Sequence, residues 1–347
     1  MDKLSRLTMD FVRENGAALA GIATVETLRG GPPSTDLSYV LEGARSAVTF
    51  AIPLKQDLIE PFLSKKDRLS HERDNILTNT LSSGVSLNLA KYLEQKGHPS
   101  AAVGVNNVYR PETPGGLFDM HPDLSHRYLA AASGLGWFGL SGNLITSEFG
   151  AAVILGTTVT TAELTPTPPK PAAESYCDGC RLCQASCASG LMDPQDETRV
   201  AMGGVEHAYS RRRTYLRCEF VCGGFTGLHP SGKWSTWSPG RFHIPDDDEA
   251  FRAAMIPGLK AYELWPEMAG GFRHVLMRRK LYLTCGHCQL LCHPDKAVRQ
   301  SRYRLLTESG CVVQEADGSL TVTTADAARG RLADLTPERR SLYSNVS

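Results

Sequence analysis

The chain has 347 residues, 37 basic and 37 acidic side chains, a formal net charge of zero and an apolar fraction of 41%. Domains mostly run to about 100–200 residues, so two domains are expected. The charge balance excludes a broadly basic nucleic-acid coat and a strongly acidic tail, and the apolar fraction excludes a disordered chain. No apolar run approaches the ~18 residues of a membrane span. Met1-Asp2-Lys3-Leu4-Ser5-Arg6 lacks the basic-then-apolar layout of a secretory leader, so a cytoplasmic protein without membrane contact is expected.

Leu4, Leu7, Phe11 and Val12 recur at helical spacing and Gly16 follows as a stop. The apolar runs Leu19–Ala23 and Ala47–Ile52 read as buried strands. A long helix is expected from Asp67 to Lys96, with Ile76, Leu77, Leu81, Val85, Leu89 and Leu93 on one face. Gly97-His98-Pro99 stops it and Ala101–Val105 is the next strand. A Pro- and Gly-rich loop from Arg110 to Pro122 leads into a short helix, Ser125 to Ser133, and a glycine-rich turn. Strands around Asn143–Thr146 and Ala151–Thr160 complete this part. Helices and strands without a strict βαβ rhythm predict an α+β fold rather than a doubly wound sheet.

The run Thr165-Pro166-Thr167-Pro168-Pro169-Lys170-Pro171 reads as a linker, because its prolines stop helices and central strands. It divides a first domain, 1–164, from a cysteine-rich domain, 172–300. The remainder, 301–347, is a tail in which Asp317-Gly318 sits between Cys311-Val312-Val313 and Leu320-Thr321-Val322, a hairpin pattern.

Cysteine is the abnormal residue. There are ten; the first is Cys177, and all but Cys311 fall between Cys177 and Cys292. A reducing compartment argues against disulfides, and so does this concentration. Cys177, Cys180, Cys183 and Cys187 have the spacing C-x2-C-x2-C-x3-C, the bacterial ferredoxin run that holds [4Fe–4S] clusters. The first three thiolates wrap one cubane and the fourth ligates another. Ala188 stands where that run normally has proline. Cys285, Cys288 and Cys292 form C-x2-C-x3-C, one ligand short of a mirror image, and Cys218 or Cys222 supplies it. One cluster would take Cys177, Cys180, Cys183 and Cys292. The other would take Cys187, Cys285, Cys288 and one of Cys218 and Cys222. A tetrahedral zinc site has no use for the third cysteine at the next x2 spacing. Cys311 reads as a small buried hydrophobe.

Gly134-Leu135-Gly136-Trp137-Phe138-Gly139 matches G-x-G-x-x-G, but a helix-like run precedes it where a dinucleotide fold needs a strand. Asp119-Met120-His121 has the start of a D-x-H-x-x-G corrinoid motif, but Leu124 occupies the glycine position and the downstream glycines are missing, so that motif is set aside. The run Asp123–Gly139, followed by Asn143–Thr146 and Glu148-Phe149-Gly150, resembles the epoxyqueuosine reductase and reductive dehalogenase superfamily. Gly21-Ile22-Ala23 and Ala44–Val48 resemble its N-terminal strands, and the resemblance covers about residues 10–300.

The resemblance implies a nitroreductase-like α+β domain that holds a cobamide such as cobalamin, followed by a ferredoxin-like domain with two [4Fe–4S] clusters that feed it electrons. It implies an oxidoreductase with an electron donor such as flavodoxin or ferredoxin. Cofactor contacts are expected at Ser125, Arg127, Gly134, Leu135, Gly136, Trp137, Gly139 and Asn143. In the tRNA-modifying members an aspartate donates the proton. Counting back from Gly134 without gaps puts Met120 at that place, and a one-residue shift restores Asp119. Asp123, His126 and Tyr128 are rival donors. Leu140 replaces the lysine that commonly follows the glycine turn, and the stretch after Cys292 is shorter than the tRNA enzymes' helical-repeat tail. The dehalogenases' export signal is not seen. A small or modified-nucleoside substrate is therefore expected. tRNA stays open without being favoured, its local handles being Arg211-Arg212-Arg213 and Arg278-Arg279-Lys280, which otherwise read as solvated surface. The same residues are compatible with a reductase that keeps FMN, and with a non-enzymatic electron-transfer or corrinoid-reactivating protein.

Overall fold

The computed structural model describes residues 1–104, 109–274 and 277–345. The first helix, Lys3–Glu14, is capped by Asp2, whose carboxylate accepts the Ser5 N–H at 2.9 Å. Gly16, at φ +104°, turns the chain into the sheet. Four antiparallel strands lie in the order Leu19–Thr24, Ser46–Pro53, Val153–Thr160, Ser100–Val103. The last residue expected in the fourth strand, Val105, lies outside the described residues.

Alternation along the central strand builds both faces of the sheet. Val48, Phe50 and Ile52 pack with Val12, Val85, Leu89 and Leu93 from the helices on one side. Ala47 and Ala51 pack with Leu129, Ala130 and Leu135 on the other. Their small side chains let the short helix His126–Ala132 lie close to the strands.

The long helix runs from Leu69 to Gln95, within the expected span. Its expected apolar face holds only toward its end, because Leu77 is 67% and Leu81 46% exposed. Polar contacts explain the difference. The first turns are buried against the cysteine-rich half through Arg68 and Glu72, whose side chains are 4% and 1% exposed. Glu72 accepts from Arg68 at 2.6 Å and from the backbone N–H groups of Gly271 and Leu283, each at 2.9 Å. Satisfying that carboxylate sets the rotation of the helix and leaves the leucines outside.

The proline run lacks regular structure from Thr165 to Pro171, as its composition predicts. It is nevertheless pinned. The Thr167 hydroxyl accepts from Ile22 N–H at 2.9 Å and donates to the Ser133 carbonyl. A further apolar cluster joins Leu54, Phe62 and Ala152 to Trp234, Leu290, Leu306 and Val312, so residues on both sides of the linker share a core.

Beyond the linker, a hairpin of Met192–Met202 and Val205–Arg212 was not foreseen, nor were the helices Leu216–Cys222, Asp248–Tyr262 and Lys296–Thr307. The Cys311–Gln314 and Leu320–Thr323 hairpin forms as expected around Asp317-Gly318, and Cys311 is 1% exposed.

Candidate metal centres and an adjoining cleft

All ten cysteines are free thiols. Two loops and a short helix bring Cys177, Cys180, Cys183 and Cys292 around one pocket. Burial and the neighbouring thiols push Cys183 up to about 12 and Cys292 up to about 11. Cys180 is exposed, so this group opens to the surface. Asp178 beside it holds Lys296 at 2.9 Å and Arg299 at 3.2 Å. Leu140 N–H donates to Cys177 Sγ at 3.4 Å.

Cys187, Cys218, Cys222, Cys285 and Cys288 form the second group. The Cys218 and Cys285 thiols help raise the pKa of both Cys187 and Cys288, and Cys222 is hydrogen-bonded to Cys218 and Cys285. Cys218 and Cys222 have their sulfurs 3.5 Å apart, far beyond the ~2.05 Å of a disulfide. The side-chain amide of Asn143 donates to Cys288 Sγ at 3.6 Å. The donor set in both groups is soft sulfur, suited to an iron–sulfur cluster.

A cleft lies against the second group, with Cys222 in its wall. Ser125, Arg127 and Asn143 line it, as does His126. The remaining residues expected to touch a cofactor do not. Leu135 is in the core behind the short helix. Gly134, at φ +76°, backs onto the linker, where a methyl group would strike the Pro168 carbonyl; at Gly136 it would strike that of Ile145. Gly139 likewise packs on the Ile145 side chain. Trp137 packs with Tyr176, Cys177 and Cys292, and its indole N–H donates to the Pro171 carbonyl at 2.9 Å. The G-x-G-x-x-G run thus permits close backbone packing beside the first thiol group.

The expected proton donors separate in the same way. Asp119 turns back to accept the Gly115 N–H at 2.7 Å, and Met120 lines the cleft in its place. Asp123 lies at a different, smaller pocket. The Tyr128 hydroxyl meets that of Tyr209 in the core. His126 alone reaches the cleft, and both ring nitrogens are engaged: Nε2 donates to the Gly104 carbonyl at 3.1 Å and Nδ1 accepts from the Thr157 hydroxyl at 2.8 Å. Burial lowers its pKa, so the ring is neutral and held in one tautomer.

Several lining residues were missed. The helix Leu216–Cys222 begins just after Tyr215, and Tyr215, Glu219 and Cys222 face the cleft at i, i+4 and i+7. That period, centred on two candidate cluster ligands, is the signal that could have found them. Tyr109 also lines the cleft near Glu219, and burial raises the pKa of both groups. Arg212 points inward, giving its guanidinium to the Ser141 carbonyl at 2.7 Å and to Asn143 Oδ1 at 3.0 Å. Burial and the charge of Arg212 bring Arg127 down to about 10. Among the described residues neither arginine has a carboxylate partner, so this end of the cleft is positive. The other members of the triplet point away, Arg211 to Asp193 and Asp196 and Arg213 to Asp246.

No family model matches the chain. By sequence it is similar to curated epoxyqueuosine reductases. Over 187 residues it is 28% identical to the epoxyqueuosine reductase of Gloeobacter violaceus, covering 52% of each chain. The chain thus spans about half the length of that curated relative. Among solved structures, it resembles an epoxyqueuosine reductase with an epoxyqueuosine-modified tRNA-Tyr stem loop at 16% identity, over 86% of this chain and 68% of that one, with a TM-score of 0.42. It resembles a catabolic reductive dehalogenase at 15% identity, over 59% and 27%, with a TM-score of 0.43. Both structural likenesses are distant. Among the described residues no helix is long and apolar enough to cross a membrane.

Proposed function

We propose that the chain is an iron–sulfur oxidoreductase whose two [4Fe–4S] clusters deliver electrons to a cobamide in the cleft, for reduction of a small or nucleoside-type substrate. The observation that carries this reading is the shared wall: Cys222, in the second thiol group, also lines the cleft. Electrons would come in at the exposed Cys180 side and leave at the cleft. The first cluster would be held by Cys177, Cys180, Cys183 and Cys292, and the second by Cys187, Cys285, Cys288 and a cysteine of the Leu216–Cys222 helix. A cobamide, when bound, supplies two-electron reducing chemistry that needs low-potential electrons at short range.

The chain's own residues have separable tasks in this reading. Ser125, Arg127 and Asn143 bind and orient the occupant, with Arg127 and Arg212 suited to its anionic groups. The neutral His126 ring offers a fixed wall, and Tyr109, which keeps its proton at neutral pH, is the cleft's candidate proton source. A domain division at the proline run, with a nitroreductase-like part before it and a ferredoxin-like part after it, belongs to the same proposal.

Anaerobic purification with iron, sulfide and corrinoid analysis tests it. Two clusters and a bound corrinoid spectrum are expected; zinc without iron would overturn it. The epoxyqueuosine reductase name of the Gloeobacter relative favours a modified nucleoside in tRNA as the substrate to try first. Restoration of queuosine in a deficient strain by this chain would establish that substrate.

A further inference from the structure

Lys65, just after the short helix Ile59–Leu63, is only 6% exposed. A buried charge is costly unless a group of opposite sign offsets it. Among the described residues no carboxylate acts on this ammonium: its Nζ donates to the Ser309 hydroxyl, which donates in turn to the Leu306 carbonyl. Resting on the two-cluster reading, we infer that Lys65 is a positioning residue for the second cluster, its ammonium being the counter-charge that raises that cluster's potential.

The neighbours of the ammonium decide what it can pair with. The charged and titratable groups that act on it are Cys311, Arg241 and Cys285. Arg241 is a second cation and repels it; the guanidinium is engaged by the carbonyls of Ser238, Gly240 and Val312. Cys311 is 1% exposed and burial pushes its thiol up, so it stays uncharged at neutral pH. That leaves Cys285, a ligand of the second cluster in the two-cluster reading. Trp234 links the two places: its ring centroid lies 5.9 Å from Lys65 Nζ and 5.5 Å from the ring of His287, which is hydrogen-bonded to Cys285. Burial alone brings Lys65 down to about 7, far below an ordinary lysine, so the site wants a negative charge that the side chains do not supply. A cubane on four thiolates carries a net charge of about −2, and about −3 once it has taken one electron. A fixed ammonium nearby therefore favours the reduced form. The backbone agrees with a side chain under demand: Lys65 sits at φ +57°, where glycine is the unstrained residue, and the lysine accepts that strain with its amine turned inward.

The test uses the full chain, loaded anaerobically with iron and sulfide, and follows both clusters by redox titration with electron paramagnetic resonance. Lys65→Met and Lys65→Gln both remove the charge. Gln keeps a donor for the Ser309 hydroxyl, so it carries the test where the Met variant does not fold. A neutral variant with full iron is expected to shift the reduction equilibrium of the second cluster about tenfold toward the oxidised form, about 59 mV lower for a one-electron couple, and to leave the first cluster unmoved. Lys65→Arg, which keeps the charge, should restore most of that shift. Loss of second-cluster iron from both neutral variants, with Lys65→Arg fully loaded, would equally support the role of the charge. An unchanged potential in a fully loaded neutral variant, or iron lost from all three variants alike, would overturn the inference. Wild-type protein that binds no iron would instead bring down the cluster reading itself, a failure seen before any variant is made.

Discussion

Asn143 aims its side-chain amide at Cys288 Sγ, 3.6 Å away, and is held in that pose by Arg212, which donates to its Oδ1 at 3.0 Å. Because Arg212 takes the oxygen, only the NH2 end can face the sulfur. Hydrogen bonds to cluster sulfurs favour the reduced, more negative state and raise the potential. Asn143→Ala is expected to lower the potential of the second cluster by on the order of 40 mV, taking the bond as about 1 kcal/mol and a one-electron couple. Spectroelectrochemical titration reads it. An unchanged potential in a variant with full iron would remove Asn143 from this role.

The Arg68–Glu72 pair ties the long helix to the cysteine-rich half. Removing one member of a buried pair leaves an uncompensated charge, and here it also frees two backbone N–H donors. Glu72→Ala is expected to destabilise the protein by about 3–5 kcal/mol, measured by denaturant unfolding. The double variant Arg68→Met, Glu72→Ala should recover part of that loss. Equal stability of the single variant and the wild type would mean that the pair has no structural role.

Gly150, at φ +62°, lies against the Cys292 backbone, and a methyl group there would strike the Cys292 carbonyl oxygen. Ala151 N–H donates to that same oxygen at 3.0 Å. Gly150→Ala is therefore expected to displace Cys292 and lower the iron bound at the first thiol group, with a backbone cost of about 1–3 kcal/mol. Iron analysis of the purified variant, beside its unfolding curve, checks both.

His71 is buried against Phe62 with ring centroids 4.6 Å apart, and burial pushes its pKa down to about 4. The unfolded chain accepts a proton at this residue near pH 6.5, whereas the folded chain resists it until about pH 4. A lowered folded-state pKa means that its contribution is complete above about 6.5 and is lost as pH falls toward 4, to an extent of about 3 kcal/mol. His71→Asn should flatten the pH dependence of unfolding within that window. A wild-type stability that stays constant from pH 7 to 4 would contradict the assignment.

The motifs were legible where chemistry is set by local spacing. The C-x2-C runs pointed to two thiol groups, and the chain places Cys177, Cys180, Cys183 and Cys292 around one pocket. Residues whose roles depend on long-range packing were harder to read. Asp119 and Met120 are neighbours, and a single turn that satisfies Gly115 N–H decides which one meets the cleft. Arg212 looked like one of three surface arginines, but it ends a strand, where successive side chains point to opposite sides. The face of the long helix was misjudged because a buried carboxylate far along the sequence outweighed two leucines. Tyr215 and Glu219 became visible only once the helix containing Cys218 and Cys222 was known.

Thr167 turns a segment that composition marks as a tether into a rivet, since its hydroxyl engages Ile22 and Ser133 on two different elements. Electron tunnelling weakens steeply with every ångström of separation, so a carrier mounted on a swinging arm would spend much of its time out of range. A proline-rich strap that is bolted to the sheet keeps the thiol sites and the cleft on one chassis. If the proposed clusters and cofactor occupy these sites, the fold itself then fixes their separation.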